Sequence, residues 1–296
     1  MHKLTFQKYA NLYIQLNEDD WKPSYLYKNK LILENRFDEF QNMNIKDIKA
    51  STIGIWYKKI DGVGNKSKRN YLSVLKGILD VALHDEIIDK NPMVHIKLPK
   101  YHAPRIKPFN SDEVKRILES AENYNYNLVY LLAMGFFTGM RTGEILALKR
   151  TDIDLKNKVI HIRSTISRFG DVKPKTFGSI RDIPILDTLY PYIVKMFERE
   201  NDNYMMVTQY GNPYHDTHIF VNNWWKPLLI SLGIEYRRPY NMRHTFATNM
   251  LYKQLCTPLE LSQYLGHSNT RMIYDVYVSY IEGHFTSFKT DIVLYS

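Results

Sequence analysis

The sequence predicts a mainly α-helical protein in two parts, with one small antiparallel β-sheet in the second part. Three features of the 296 residues carry that expectation. Apolar residues recur at three- and four-residue intervals through most of the chain, the spacing of one helix face. Only around residues 159–165 does the period fall to two, the spacing of a half-buried strand. Between the parts, residues 97–108 hold three prolines and four basic side chains with no acid, a composition unlike either neighbour.

In the first part, Tyr9, Leu12, Tyr13 and Leu16 place a helix over 6–16, and Leu31, Leu33, Phe37 and Phe40 a second over 27–40. A third covers 50–60, after which Asp61-Gly62-Val63-Gly64-Asn65 breaks the chain. The clearest helix spans 67–84, with Tyr71, Leu75, Ile78, Leu79 and Ala82 along one face. Asn91-Pro92 closes the bundle. Residues 1–98 therefore form the first domain, 99–108 an extended basic linker and 109–296 the second domain. Such a linker suits a polyanion, although a plain surface loop has the same composition.

The second domain opens with Asn110 and Glu113, spaced as a capping box for a helix through Ala121. Residues 126–138 form an apolar helix stopped by Gly139, and a further turn after Arg141 carries Glu144, Ile145 and Leu148 inward. Val159, His161, Arg163 and Thr165 then alternate with Ile160, Ile162 and Ser164. A loop, Arg168-Phe169-Gly170-Asp171, leads to a return strand at 180–185, and everything beyond reads as helix.

Composition narrows the function. Lysine and arginine outnumber aspartate and glutamate by 40 to 31, a formal charge of +9. That excess favours a polyanionic partner through counterion release, though a solvated basic surface carries the same charge. Cys256 is the one cysteine, so neither an internal disulfide nor a cysteine-rich zinc site can form, and core filling is its expected role. The start lacks a signal-peptide run. The most apolar stretch, 128–137, is about half the length of a membrane span. A cytoplasmic protein without a membrane partner is expected. No phosphate-binding glycine loop and no acidic cluster with metal spacing occurs, so no cofactor is expected.

Four segments of the second domain hold polar residues where a core would not choose them. Arg141 lies between Gly139 and Gly143, which permit a tight turn and close approach of backbone to a ligand, and Glu144 is spaced to hold its guanidinium. Taken alone, a surface arginine–glutamate pair explains this segment as well. Arg243 and His244 occupy the first turn of a helix opened by Pro239, where free amides attract phosphate and an arginine adds a planar fork. Gly266 stops a helix just before His267, and Tyr274-Asp275-Val276-Tyr277 follows.

In this order the segments resemble the tyrosine recombinases, which include phage integrases and Xer-type enzymes. Thr138–Glu144, Arg243–Thr248, Leu265–Asn269 and a tyrosine ten residues beyond His267 carry the resemblance. Lys68–Leu75, continuing to Asp89–Pro92, is similar to the last helix of the family's core-binding domain, so the likeness spans nearly the whole chain. It implies a helical core-binding, DNA-binding domain followed by a mainly helical catalytic domain with a small antiparallel sheet, clamped on duplex DNA.

Roles follow from the resemblance. Arg141 and Arg243 would grip the non-bridging oxygens of the scissile phosphate, Lys175 would protonate the leaving 5′ oxygen, and His267 would hydrogen-bond phosphate and attacking oxygen. Lys173 competes closely with Lys175. Tyr277 would be the nucleophile, forming a 3′-phosphotyrosine without metal or nucleotide; its spacing favours it over Tyr274 and Tyr280. One position departs from the pattern: Tyr240 stands where the family usually has histidine. A phenol can donate to a phosphate oxygen, but with a pKa of about 10 it accepts protons poorly. Glu144 and His244 are supporting residues, His244 being expected on another face of its helix. Lys66, Lys68, Arg69, Lys100, Arg105 and Lys107 are candidate DNA contacts.

The implied partners are a double-stranded recombination site, three further protomers in a tetramer on paired sites, and accessory DNA-bending proteins. The apolar tail from Val278 is expected to dock on a neighbouring protomer or else to pack on its own domain. Many phage integrases carry an arm-binding domain ahead of the core-binding one. Here the sequence starts almost directly at a core-binding-like helix, which implies an absent arm or a shortened chain. Strand relaxation of the type IB topoisomerase kind is the nearest alternative chemistry. A catalytically inactive DNA-binding regulator is favoured only by Tyr240, and a metal-dependent nuclease lacks its carboxylate cluster.

Overall fold

The computed structural model describes residues 4–101, 106–167, 170–172, 180–199, 203–214, 217–267 and 270–277. The chain divides into two compact units, Met1–Pro104 and Arg105–Ser296. Each has its own apolar core.

The first unit consists of helices α1 (Phe6–Gln15), α2 (Pro23–Arg36), α3 (Ala50–Lys59) and α4 (Asn65–His84). Thr5 caps α1 by accepting from the Lys8 amide. The expected 27–40 helix is displaced toward the N-terminus. Pro23 is already set for a first helical turn, and Phe37 leaves the helix at φ −120°. Phe37 and Phe40 thus reach the core from a turn, against Phe6 at 5.6 and 5.5 Å and Trp56 at 5.3 and 5.4 Å between ring centres. The Trp56 indole donates to the Arg36 carbonyl at 2.8 Å, satisfying a helix-end acceptor. Helix α4 buries Leu72, Leu75, Ile78, Leu79 and Ala82. A Cβ on Gly77 would lie 2.5 Å from the Tyr13 ring, so glycine is what lets α1 and α4 pack.

The second unit opens with α5 (Ser111–Ala121), whose capping box is reciprocal. The Glu113 amide donates to Asn110 Oδ1 at 2.8 Å, and the Asn110 amide to Glu113 Oε2 at 2.9 Å. Helix α6 (Tyr126–Thr138) is apolar and mostly buried, and Gly139 ends it in the left-handed conformation at φ +62°. Helix α7 (Thr142–Ala147) follows, with Glu144, Ile145 and Leu146 buried.

The expected single hairpin is instead two small sheets. Strands β1 (Ile153–Asp154), β2 (Val159–Ile162) and β5 (Arg181–Pro184) form an antiparallel sheet in the order β1-β2-β5, with Ile160 opposite Ile183. Strands β3 (Thr165–Ser167) and β4 (Gly170–Val172) form a separate ribbon, so Gly170 and Asp171 belong to a strand and not to the loop. Alternation runs on through Arg163 and Ser164 into β3, which hides from the sequence where the chain changes partner.

Beyond the sheets come α8 (Tyr190–Phe197), α9 (Thr217–Phe220), a π-helical turn at Val221–Trp225, α10 (Lys226–Ser231), α11 (Asn241–Tyr252), α12 (Pro258–Leu265) and α13 (Arg271–Tyr277). Helix α11 packs on α6, α12 on α11, and α13 on α12. No helix among the described residues is long and apolar enough to cross a membrane.

Candidate active site

Arg243, in the first turn of α11, is 1% exposed. Its Nη1 donates to the Gly139 carbonyl at 2.9 Å, and its Nη2 to the Leu265 carbonyl at 2.7 Å. These oxygens end α6 and α12, where carbonyls lack helical partners and carry partial negative charge. They compensate the burial of a cation that would otherwise be costly. Burial and then the charge of Arg141 push the Arg243 pKa down to about 10, which leaves it charged at neutral pH. Its Nε is buried with no hydrogen-bond partner among the described residues.

Around the corner between α6 and α7, Arg141 is bound to Glu144 twice. Its amide donates to Oε2 at 2.9 Å and its Nη1 to Oε1 at 2.7 Å. Its Nη2 reaches the Gly266 carbonyl at 3.3 Å. From β5, Arg181 meets the same carboxylate, with Nη2–Oε2 at 3.0 Å and Nη1–Oε1 at 3.2 Å, while its Nε donates to the Tyr264 carbonyl at 2.7 Å. Burial opposes ionisation of Glu144, but hydrogen bonds and charge from Arg181, with Arg141 behind it, hold its carboxyl below the usual range. Gly143 serves packing and not a ligand: a Cβ there would lie 2.6 Å from the Ile166 carbonyl of β3. Sequence reasoning gave Arg181 no role beyond its place in the return strand at 180–185. Its signal was an arginine opening a strand whose neighbour, Glu144, had to be buried.

Tyr277, at the end of α13, is 2% exposed among Phe246, Leu251, Leu261, Leu265 and Ile273. Its hydroxyl lies 2.7 Å from His244 Nδ1. His244 does leave the face of Arg243, as consecutive helical residues must, but the face it takes is the one against Tyr277. Tyr240 sets its ring edge-on to the imidazole, 4.8 Å between centres, and is 42% exposed. Tyr274, one turn before Tyr277, is 54% exposed, and Tyr280 lies outside the described residues.

Burial, with Arg243 adding to it, lowers the His244 pKa to about 4. Burial and then Arg243, Arg141 and Arg181 lower that of His267 to about 4 as well. Both rings are neutral near pH 7. His267 Nε2 lies 2.7 Å from Arg243 Nη2. Because guanidinium only donates, Nε2 accepts and the proton sits on Nδ1, which is buried without a partner among the described residues. Burial also raises the pKa of the Tyr277 hydroxyl, partly offset by Arg243.

The structure thus gathers Arg141, Glu144, Tyr240, Arg243, His244, His267 and Tyr277, and adds Arg181. Lys173, Lys175 and the tail from Val278 lie outside the described residues, as does Arg105. Lys66, Lys68 and Arg69 occupy the first turns of α4. Lys66 Nζ lies 5.8 Å from the Tyr101 ring centre, Lys68 Nζ 5.3 Å from that of Tyr57, and Arg69 Nη1 donates to the Pro99 carbonyl at 3.1 Å. The Lys100 carbonyl accepts from Asn65, and in the second unit Lys107 pairs with Glu235 at 3.0 Å. Among the described residues, no three His, Cys, Asp or Glu side chains converge as metal ligands.

Residues 107–282 match the Phage integrase family, and residues 5–60 match the N-terminal SAM-like domain of phage integrases. A tyrosine recombinase XerC-like protein of Caldanaerobacter subterraneus subsp. tengcongensis is 29% identical over 280 residues, covering 82% of this chain and 70% of its own. The ICEBs1 integrase of Bacillus subtilis is 26% identical, covering 93% of this chain and 78% of its own. In fold, the chain is similar to the Tn1549 transposon integrase in complex with circular intermediate DNA, with a TM-score of 0.77 at 20% identity over 91% of this chain and 94% of that one. A lambda integrase tetramer bound to a Holliday junction gives 0.74 at 17% identity, over 90% and 78%.

Proposed function

The chain belongs to the phage integrase family, and from that premise we propose that this site-specific recombinase cuts and rejoins duplex DNA through Tyr277. The observation that carries the assignment of the site is its charge. Three guanidinium groups, Arg141, Arg181 and Arg243, stand against one carboxylate, Glu144, next to a buried tyrosine. That surplus suits a phosphodiester, and it suits the extra negative charge of a pentacovalent transition state better still, because fixed donors act most strongly where charge develops. Arg243 Nε and His267 Nδ1, which have no partner among the described residues, are two buried donors for such an anion.

Attack by the Tyr277 oxygen on phosphorus breaks the bond to the 5′ oxygen and leaves a 3′-phosphotyrosine that conserves the bond energy. A 5′ hydroxyl then reverses the step and reseals a strand. Lys175 is proposed as the acid for the leaving oxygen. With arginines supplying the charge stabilisation, the chemistry is proposed to need no metal. Lys66, Lys68, Arg69, Lys100, Arg105 and Lys107 are proposed to contact the DNA backbone. A tetramer on paired sites is proposed as the active assembly, in keeping with the lambda integrase tetramer on its junction, with accessory DNA-bending proteins as further partners and the cytoplasm as the compartment.

A duplex nicked beside the cleavage point, taken from sequence flanking the gene, loses a short oligonucleotide on cutting and traps the covalent adduct. The wild-type protein should form the adduct with or without a chelator. Tyr277→Phe should bind the same duplex and form none. Specific binding without any adduct from the wild-type protein would replace this reading with that of a DNA-binding regulator.

A further inference from the structure

Resting on that reading, we propose that His244 is the catalytic base that takes the proton from the Tyr277 hydroxyl, a task the residue at position 240 does not perform in this chain. The geometry points to it directly. His244 Nδ1 lies 2.7 Å from the hydroxyl oxygen, within reach for proton transfer without any movement of either side chain. The other candidates are occupied or unsuited. His267 accepts from Arg243 on Nε2 and carries its proton on Nδ1, which makes it a donor to phosphate and not an acceptor from tyrosine. Arg141, Arg181 and Arg243 have no lone pair to offer. Tyr240 brings a ring edge, 4.8 Å between centres, to the imidazole. A neutral phenol is a poor proton acceptor and does not take a second phenol's proton.

The surroundings also set when the base works. Arg243, one residue before His244 on α11, is the charge that disfavours its protonation, acting on top of burial. A phosphodiester bound at Arg243 brings a negative charge that cancels this opposition, so His244 gains basicity as the DNA seats. In the cleavage step the Tyr277 oxygen bonds to phosphorus, its proton passes to His244 Nδ1, and the electron pair of the breaking bond remains on the 5′ oxygen, which takes its proton from the acid. On return, the incoming 5′ hydroxyl gives its proton back to that acid and His244 reprotonates the departing tyrosine oxygen. The two neutral histidines of the site thus divide the work, one accepting and one donating.

The test uses the full chain and the nicked duplex. His244→Gln keeps the side-chain volume and a hydrogen-bonding amide but cannot take a proton. It should bind the duplex as the wild type does and form the adduct at least about 10²-fold more slowly, the lower end of what general bases contribute. Fluorotyrosine placed at position 277, whose hydroxyl ionises more readily, should recover much of that loss in His244→Gln while changing the wild-type rate little. Cleavage by His244→Gln within a few-fold of wild type overturns the proposal, and so does a loss that fluorotyrosine leaves in full. If His244→Gln fails to bind DNA, the solvent deuterium isotope effect on wild-type adduct formation decides, and a value near one overturns the proposal. A wild-type protein that forms no adduct sinks the recombinase reading itself, a result distinct from all of these.

Discussion

His244 and His267 are held neutral inside the site, and that has a consequence for stability as well as for chemistry. Their folded pKa values, about 4, lie below the ordinary histidine value of 6.5. Between these limits the unfolded chain binds more protons than the folded one, so stability rises with pH. The contribution is complete above about pH 6.5 and disappears as pH falls toward 4. Glu144 acts in the same sense at lower pH: its lowered pKa lets the unfolded chain take the proton first, so its contribution is lost as pH falls through the usual carboxylate range. The melting temperature should therefore fall between pH 6.5 and 4.5 more steeply for wild type than for His244→Gln/His267→Gln; parallel slopes would show that the rings are not kept neutral by the fold. Arg141, Arg243, His267 and Tyr277 were legible as candidates because each sits in a short segment that resembles a family motif, and the segments occur in the family's order. The pairing of His244 with Tyr277 spans 33 residues and that of Arg181 with Glu144 spans 37, and no local pattern encodes a contact made by the packing of separate elements.

Among elements, the same distinction separates what was readable from what was not. Helices α5 and α6 announce their ends with Asn110, Glu113 and Gly139, because caps are local chemistry. The displaced α2 and the second β-ribbon were not readable, since Phe37 and Phe40 keep helical spacing after the helix has ended and alternation continues where β2 hands over to β3. What fixes these elements to each other is Arg181, which ties β5 to α7 through Glu144 and to α12 through the Tyr264 carbonyl. Its side chain is 7% exposed and that of Glu144 4%. Arg181→Met leaves Glu144 buried with one partner fewer, a loss expected to cost about 3–5 kcal/mol in denaturant unfolding. Arg181→Met/Glu144→Leu should lose less than the two single changes summed, because the orphaned charge is gone. Strict additivity would mean that the pair is not what joins these elements.

At the scale of the whole molecule, the chain consists of two units with separate cores, joined by a segment rich in proline and basic residues. Asn65 and Arg69 bind the backbone at Pro99 and Lys100 to α4, so the first unit extends to that point. Brief trypsin treatment should cut after Lys100 or Arg105, because Lys107 is followed by Pro108. It should release two resistant bodies, one on each side. Recombination-site DNA should slow the cut if the basic segment lies along the duplex. One resistant body of full length would argue that the units do not fold separately. The expected boundary rests on composition alone, since a change of residue type along the chain needs no knowledge of tertiary contacts.

The buried guanidinium of Arg243 joins the ends of α6 and α12 in the chain by itself. With the role proposed for Arg243, selection for folding and selection for strand exchange fall on the same codon. In a decaying copy, Tyr277→Phe keeps the core filled, whereas loss of Arg243 leaves two helix-end carbonyls without their partner and destabilises the fold. Degenerate copies should keep this arginine long after the tyrosine has gone. An arginine at this place in a genomic fragment marks a descendant still under selection to fold, and under the proposed mechanism only the tyrosine marks one that can still move.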